Sequence, residues 1–202
     1  MIGLFGGSFD PIHLGHLLVA QAVLEAVGLE QLRFLPAGQQ PFKQGRHQAP
    51  AVARAEMVAL AIAGEPRFAV DTIELDRSGP SYTVDTLRLM RSREPAARFA
   101  VIVGADTAHD LAHWREPAAL PGLADWIVVA RPGNTLPEFP WPVRVVTVPA
   151  IEISATEVRA RVAAGRSVRY WVPEAVAGFI GREGLYLPDA QDADHQGLRD
   201  QI

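Results

Sequence analysis

Apolar positions along the chain fall into two alternating registers. Short runs dense in Val, Ile, Leu and Phe, at Ile2–Phe5, Leu32–Leu35, Phe68–Leu75, Phe99–Val103, Trp126–Ala130 and Val143–Val148, read as strands, several apolar enough to be covered on both faces. Between them, Leu14–Val27, Val52–Ala63, Val84–Arg93, Asp106–Leu120, Ala155–Ala164 and Pro173–Ile180 read as helices. Such alternation implies right-handed crossovers and a parallel sheet with helices on both faces. The expected class is α/β, a Rossmann-like doubly wound, mostly parallel sheet. The third strand is the least regular, because Asp71, Glu74 and Asp76 interrupt it. Four prolines and Gly133 between Pro132 and Pro142 predict a surface loop before the last strand.

At 202 residues the chain is long enough for one domain with a sizeable core. Residues 1–188 read as that domain. The last 14 residues contain Asp189, Asp192, Asp194 and Asp200 and little that could form a core, and are expected to be disordered. They carry −3 of the formal net charge of −4, so the body is almost neutral and generic nucleic-acid binding through a basic surface is disfavoured. Absence of Cys excludes disulfides, thiolate metal sites and cysteine nucleophiles. No apolar run is long enough to span a bilayer, and the N-terminus does not read as an export signal, so a cytoplasmic location without membrane partners is expected. Among 19 basic residues one is Lys, at Lys43. A homo-oligomer is compatible with this composition.

The first strand runs into Gly6-Gly7, a pair that lets the backbone turn tightly and approach a ligand at the carboxyl end of the strand. Neither common phosphate loop is present, which disfavours a Rossmann dehydrogenase and a P-loop NTPase. In their place His13 and His16 stand three residues apart at a helix mouth, next to free amides and the positive dipole end. A purely structural alternative is that one imidazole caps the helix and the other packs on the strand. Farther on, Ser154 followed by Glu157 forms a capping-box pattern, while Thr156 and Arg159 share one helical face and could converge on a phosphate.

GGSFDPIHLGH, residues 6–16, resembles the HxGH element of the nucleotidylyltransferase superfamily, and Ile153-Ser154-Ala155-Thr156-Glu157-Val158-Arg159 resembles its second motif. Further segments resemble bacterial nicotinate-nucleotide adenylyltransferases: Ser81-Tyr82-Thr83-Val84-Asp85-Thr86-Leu87, Gly104-Ala105-Asp106 with Trp114, Ala130-Arg131-Pro132-Gly133, Tyr170 to Val176 and Gly184-Leu185-Tyr186. The resemblance implies transfer of AMP from ATP to nicotinate mononucleotide, giving deamido-NAD and pyrophosphate in NAD biosynthesis.

It further implies roles for named residues. His13, His16, Thr156 and Arg159 would be catalytic. Gly6, Gly7, Ser8, Phe9, Lys43, Gly104, Asp106, Ile153 and Ser154 would join them in binding ATP and its phosphates. Lys43, Tyr82, Thr83, Trp114 and Arg131 would bind nicotinate mononucleotide, with the indole face against the pyridine ring. Structural alternatives are a core indole for Trp114, helix caps for Thr83 and Asp106, and a surface amine for Lys43. Family members commonly carry Pro-Pro-His-Lys where this chain has Gln40-Pro41-Phe42-Lys43, so Phe42 stands in place of a loop histidine, and His47 is a candidate substitute.

The attacking phosphate, with a second pKa of about 6, is largely a dianion at neutral pH, so no general base is required. Positive groups at His13, His16, Lys43 and Arg159 would converge on the phosphates. Mg²⁺ would be held mainly by substrate phosphates, with no metal ligands from the protein. His109 and His113 have i, i+4 spacing but no accompanying carboxylate motif, which favours surface histidines over a metal site. Competing functions are AMP or CMP transfer to another phosphorylated acceptor such as phosphopantetheine, and a nucleotide sensor without catalysis.

Overall fold

The computed structural model describes residues 1–38, 49–133 and 135–188. Lys43, with Gln40, Pro41, Phe42 and His47, and the acidic segment 189–202 lie outside the described residues.

Six strands form one all-parallel sheet: β1 (Ile2–Gly7), β2 (Gln31–Pro36), β3 (Phe68–Val70), β4 (Phe99–Gly104), β5 (Asp125–Ala130) and β6 (Arg144–Thr147). Their spatial order is β3-β2-β1-β4-β5-β6, so the direction of winding reverses between β1 and β4. A crevice opens at such a reversal beyond the carboxyl ends of the strands, where ligands of doubly wound sheets bind.

Side chains alternate between two cores as the pleat requires. Leu32, Phe34, Ala100, Ile102, Ile127 and Val129 face one side, and pack with helices α1 (Leu14–Val27), α2 (Ala51–Ile62), α5 (Ala155–Ala163) and α6 (Glu174–Arg182). Leu4, Leu35, Phe99, Val101, Val103, Trp126 and Val128 face the other, under α3 (Thr83–Arg93) and α4 (Ala105–Ala108). The proline-rich loop seats Trp141 in this second core, its ring 5.1 Å from that of Trp126. Helix α1 ends at Gly28, whose φ of 69° is the left-handed conformation that closes a helix at low steric cost.

Two elements depart from expectation. The third strand ends at Val70 rather than Leu75. The Asp71 carboxylate accepts the Ile73 amide at 3.1 Å and the Thr72 carbonyl accepts the amides of Leu75 and Asp76, so local bonds replace a ladder. The helix expected over Asp106–Leu120 is one turn, α4, followed by 3₁₀ segments at Leu111–His113 and Pro117–Gly122. Glu116 precedes Pro117, where a right-handed helix is disfavoured, and adopts φ 50°. His109 and His113 are therefore exposed residues on separate elements.

Candidate active site

Both sequence motifs meet at the N-terminus of α1. His13 occupies the N-cap, and its backbone amide donates to Nδ1 of His16 at 3.2 Å. An imidazole thus takes the place usually held by a Glu or Gln in a capping box. The two rings stack with centroids 3.7 Å apart. Edges of Phe5 and Phe9 close on His16 at 6.2 and 5.1 Å between centroids. Of the first-turn amides, that of Leu14 donates to the Trp171 carbonyl at 2.9 Å, and those of His16 and Leu17 donate to the His13 carbonyl. Gly15 uses none of these acceptors.

Charge state follows from this packing. Burial, and then the positive charge of Arg131, lowers the His13 pKa from 6.5 to about 4. Burial and the adjacent His13 push His16 well below its ordinary value. Both rings are neutral at neutral pH. Because Nδ1 of His16 accepts a backbone amide, its proton resides on Nε2. The pair therefore offers N–H donors rather than the positive groups expected at these two positions. Nδ1 of His13 is buried without a hydrogen-bond partner.

Gly15 backs directly on the His13 ring: a Cβ there would lie 3.1 Å from both Cε1 and Nδ1, and 3.7 Å from the Ile153 carbonyl oxygen. That last distance brings the second motif to the first. Ser154 caps α5 by accepting the Glu157 amide at 3.1 Å. Thr156 and Arg159 share a helical face, Arg159 Nη2 donating to the Thr156 hydroxyl at 3.3 Å while Nη1 donates to the Asp10 carbonyl at 2.7 Å. Arg159 therefore braces the turn before the histidines as well as standing beside Thr156.

Gly6 and Gly7 end β1, and the space above Gly7 is filled by the Phe9 ring, 2.8 Å from where a Cβ would stand. Phe9 is 1% exposed and lies edge-on to Phe5, His16 and Phe34, so its ring is a buttress beneath His16 and offers a ligand no face. Ser8 is held through its carbonyl, which accepts Arg54 Nη1 at 2.6 Å.

At the reversal point a cavity of about 150 Å³ is lined by Phe5, Val19, Gly104, Ala105, Asp106, Val129, Arg131 and Val148. Gly104 is the N-cap of α4, so exposed Asp106 is the second residue of that helix rather than its cap. Arg131 shares this cavity and acts electrostatically on His13, which places its charge beside the histidines.

Tyr82, Thr83 and Trp114 come together on the second face. Tyr82 is the N-cap of α3 and Thr83 its first residue, so Thr83 does not cap the helix. The Arg115 guanidinium lies 4.6 Å from the Tyr82 ring centroid and 3.6 Å from the Asp85 carboxylate, tying the Trp114 segment to the start of α3. Half-buried Trp114 meets Trp126 edge-on at 5.9 Å, one contact with the core, and keeps part of its indole accessible. Behind α3, Glu74 accepts the Thr86 hydroxyl at 3.0 Å, and burial raises its pKa. Gly38 is forced by close approach: a Cβ would lie 2.5 Å from the Glu74 carbonyl oxygen.

Three residues to which the sequence assigns no site role organise this site. Asp10, Arg54 and Tyr186 are buried together, with the Asp10 carboxylate accepting the Tyr186 hydroxyl at 2.7 Å and the Ala49 amide at 3.1 Å. Helical spacing held the signal for one of them: Arg54 falls on the same stripe as buried Met57 and Val58.

Comparison with known proteins gives concordant findings. Residues 4–161 match the family described as cytidylyltransferase-like. A Thermus thermophilus protein named "Probable nicotinate-nucleotide adenylyltransferase" is 52% identical over 185 residues, covering 92% of this chain and 98% of its own. A Geobacillus thermodenitrificans protein of the same name is 43% identical over 199 residues, covering 98% and 92%. In fold, the chain is similar to the Plasmodium falciparum nicotinic acid mononucleotide adenylyltransferase solved with NaAD, with a TM-score of 0.77 at 20% identity, covering 92% of this chain and 96% of that one.

Proposed function

The chain belongs to the cytidylyltransferase-like family and, within it, to the nicotinate-nucleotide adenylyltransferases, and from that premise we propose the reaction it carries out. It transfers AMP from ATP to nicotinate mononucleotide, forming deamido-NAD and pyrophosphate in NAD biosynthesis. The observation that carries this reading is the meeting of the two phosphate motifs at one helix start, with the Ile153 carbonyl 3.7 Å from the Gly15 Cβ position and Arg159 bonded to Asp10.

In the chemical step, an oxygen of the mononucleotide phosphate forms a bond to the α-phosphorus of ATP. The bond from that phosphorus to the bridging oxygen breaks, and pyrophosphate leaves with the electron pair. No proton has to move, since the nucleophile is already a dianion. The protein's work is alignment and stabilisation of charge. Neutral His13 and His16 are suited to donate N–H bonds to phosphate oxygens, and their low basicity keeps them in that form across physiological pH. Thr156, the α5 start, Arg159 and Arg131 supply the hydroxyl, amides and fixed positive charge; Lys43 adds an ammonium in this reading. Tyr82, Thr83 and Trp114 bind the acceptor, the indole against the pyridine ring and first-turn amides of α3 toward the carboxylate.

Among the described residues no group of three or more His, Cys, Asp or Glu side chains could hold a metal ion. In this reading Mg²⁺ enters as part of the ATP substrate, coordinated by phosphate oxygens and water. No described helix is long and apolar enough to cross a membrane, and the cytoplasm is the proposed location. The test is product formation from ATP, Mg²⁺ and nicotinate mononucleotide, with pyrophosphate and deamido-NAD quantified separately.

A further inference from the structure

Arg54 is 1% exposed, yet none of the phosphate chemistry above calls for it. Its guanidinium forks between two backbone carbonyls on different loops: Nη1 donates to Ser8 at 2.6 Å and Nη2 to Ala37 at 2.8 Å. Ser8 lies in the turn from β1 to the histidine pair, and Ala37 follows β2 directly. Two further bonds join these regions, from the Ala37 amide to the Gly7 carbonyl at 2.8 Å and from the Ala49 amide to the Asp10 carboxylate at 3.1 Å. Asp10, 3% exposed, also accepts the Tyr186 hydroxyl from the segment after α6, and its carbonyl accepts Arg159. One short turn is thus tied to α2, to the exit of β2, to α5 and to the C-terminal end of the domain.

Taking a guanidinium and a carboxylate out of water is costly, and apolar side chains of similar volume often give equal or better stability. Stability alone therefore does not account for these charges. What the fork supplies, and a leucine lacks, is a set spacing between two carbonyls.

We propose that Arg54, supported by Asp10 and Tyr186, is a positioning residue for adenylyl transfer, presetting the Ser8–Asp10 turn and through it the His13–His16 pair that receives the nucleotide phosphates. The inference rests on the reaction proposed above and extends it to residues that touch no substrate.

Arg54→Lys keeps the positive charge but cannot span both carbonyls, so it separates charge from spacing. Its kcat/KM for ATP, normalised to folded protein, is expected to fall about 100-fold, mostly in kcat, as for a misplacement of about 1 Å near the reacting groups. Tyr186→Phe removes one bond to Asp10 and is expected to lose about 10-fold, with a folded, soluble protein. Wild-type kcat/KM in folded Arg54→Lys overturns the proposal; should that variant not fold, wild-type kcat/KM in Tyr186→Phe does so instead. A wild-type protein that forms no deamido-NAD would instead refute the underlying reaction, an outcome visible before any variant is made.

Discussion

The imidazole of His16 accepts the backbone amide of His13 at 3.2 Å while stacking on the His13 ring at 3.7 Å between centroids. One side chain therefore closes the first turn of α1, fixes its own tautomer and leaves Nε2 as its N–H donor. The structural role and the chemical role proposed above coincide in that residue, so its replacement has two measurable consequences. His16→Ala is expected to lower kcat/KM by about 100- to 1,000-fold, the loss typical of one preorganised donor to a developing charge. It should cost only about 1 kcal/mol of stability through the lost cap. Pyrophosphate-release kinetics and thermal unfolding on the same preparation check both.

The protonation states set a pH dependence. With the native His13 pKa near 4 and the unfolded value near 6.5, the unfolded chain binds a proton that the folded one excludes between those limits. Stability therefore falls as pH falls through that window, by up to about 3 kcal/mol from His13, and is insensitive to this group above it. Unfolding midpoints from pH 7.5 to 4 test this, and NMR titration of the His13 ring should show no inflection near 6.5. An inflection at or above 6.5 would contradict the neutral-donor account.

Gly15→Ala separates helix stability from site geometry. Alanine is the better helix former, but its Cβ would press on the His13 ring at 3.1 Å. Expected is a protein at least as stable to within about 1 kcal/mol, with kcat/KM reduced about 10-fold or more because the His13 ring must shift. Thermal unfolding and steady-state kinetics suffice to check it.

Arg159→Lys loses the fork that reaches both the Asp10 carbonyl and the Thr156 hydroxyl. A lysine retains the charge without the two-point geometry. Turnover about 10- to 100-fold lower, with little change in the KM for nicotinate mononucleotide, is the expected pattern. Steady-state kinetics varying each substrate in turn reads it.

Trp114→Ala addresses the acceptor side. The KM for nicotinate mononucleotide should rise about 5- to 10-fold, matching a lost aromatic pair of roughly 1 kcal/mol, while the KM for ATP is unchanged. Trp114→Phe should recover most of the loss. Equal effects on both substrates would place Trp114 in the core with Trp126 rather than at the ligand.

Much of this organisation was legible in the sequence because it depends on local pattern. Strand–helix alternation, the Gly6-Gly7 exit and the two motifs all sit within short windows, and the parallel sheet and the convergence on α1 follow from them. Long-range pairing was not legible. Nothing near Asp10 in the chain announces Tyr186, 176 residues away, and nothing near Ser8 announces Arg54. The shortened β3 and the helix that breaks after α4 depart from the apolar pattern for different reasons: the Asp71 carboxylate bonds the nearby Ile73 amide, while Pro117 constrains the residue before it, a signal present in the sequence but weaker there than the apolar spacing. Arg54 on an apolar helical stripe is the clearest signal that was there to be read.

The proposed reaction is read out by incubating purified protein with ATP and Mg²⁺ and, in separate reactions, nicotinate mononucleotide, nicotinamide mononucleotide or phosphopantetheine, with pyrophosphate and the adenylylated product both quantified. Stoichiometric pyrophosphate and deamido-NAD are expected with nicotinate mononucleotide, with the highest kcat/KM for that acceptor. ATP binding without product from any acceptor, or turnover confined to phosphopantetheine, would contradict it.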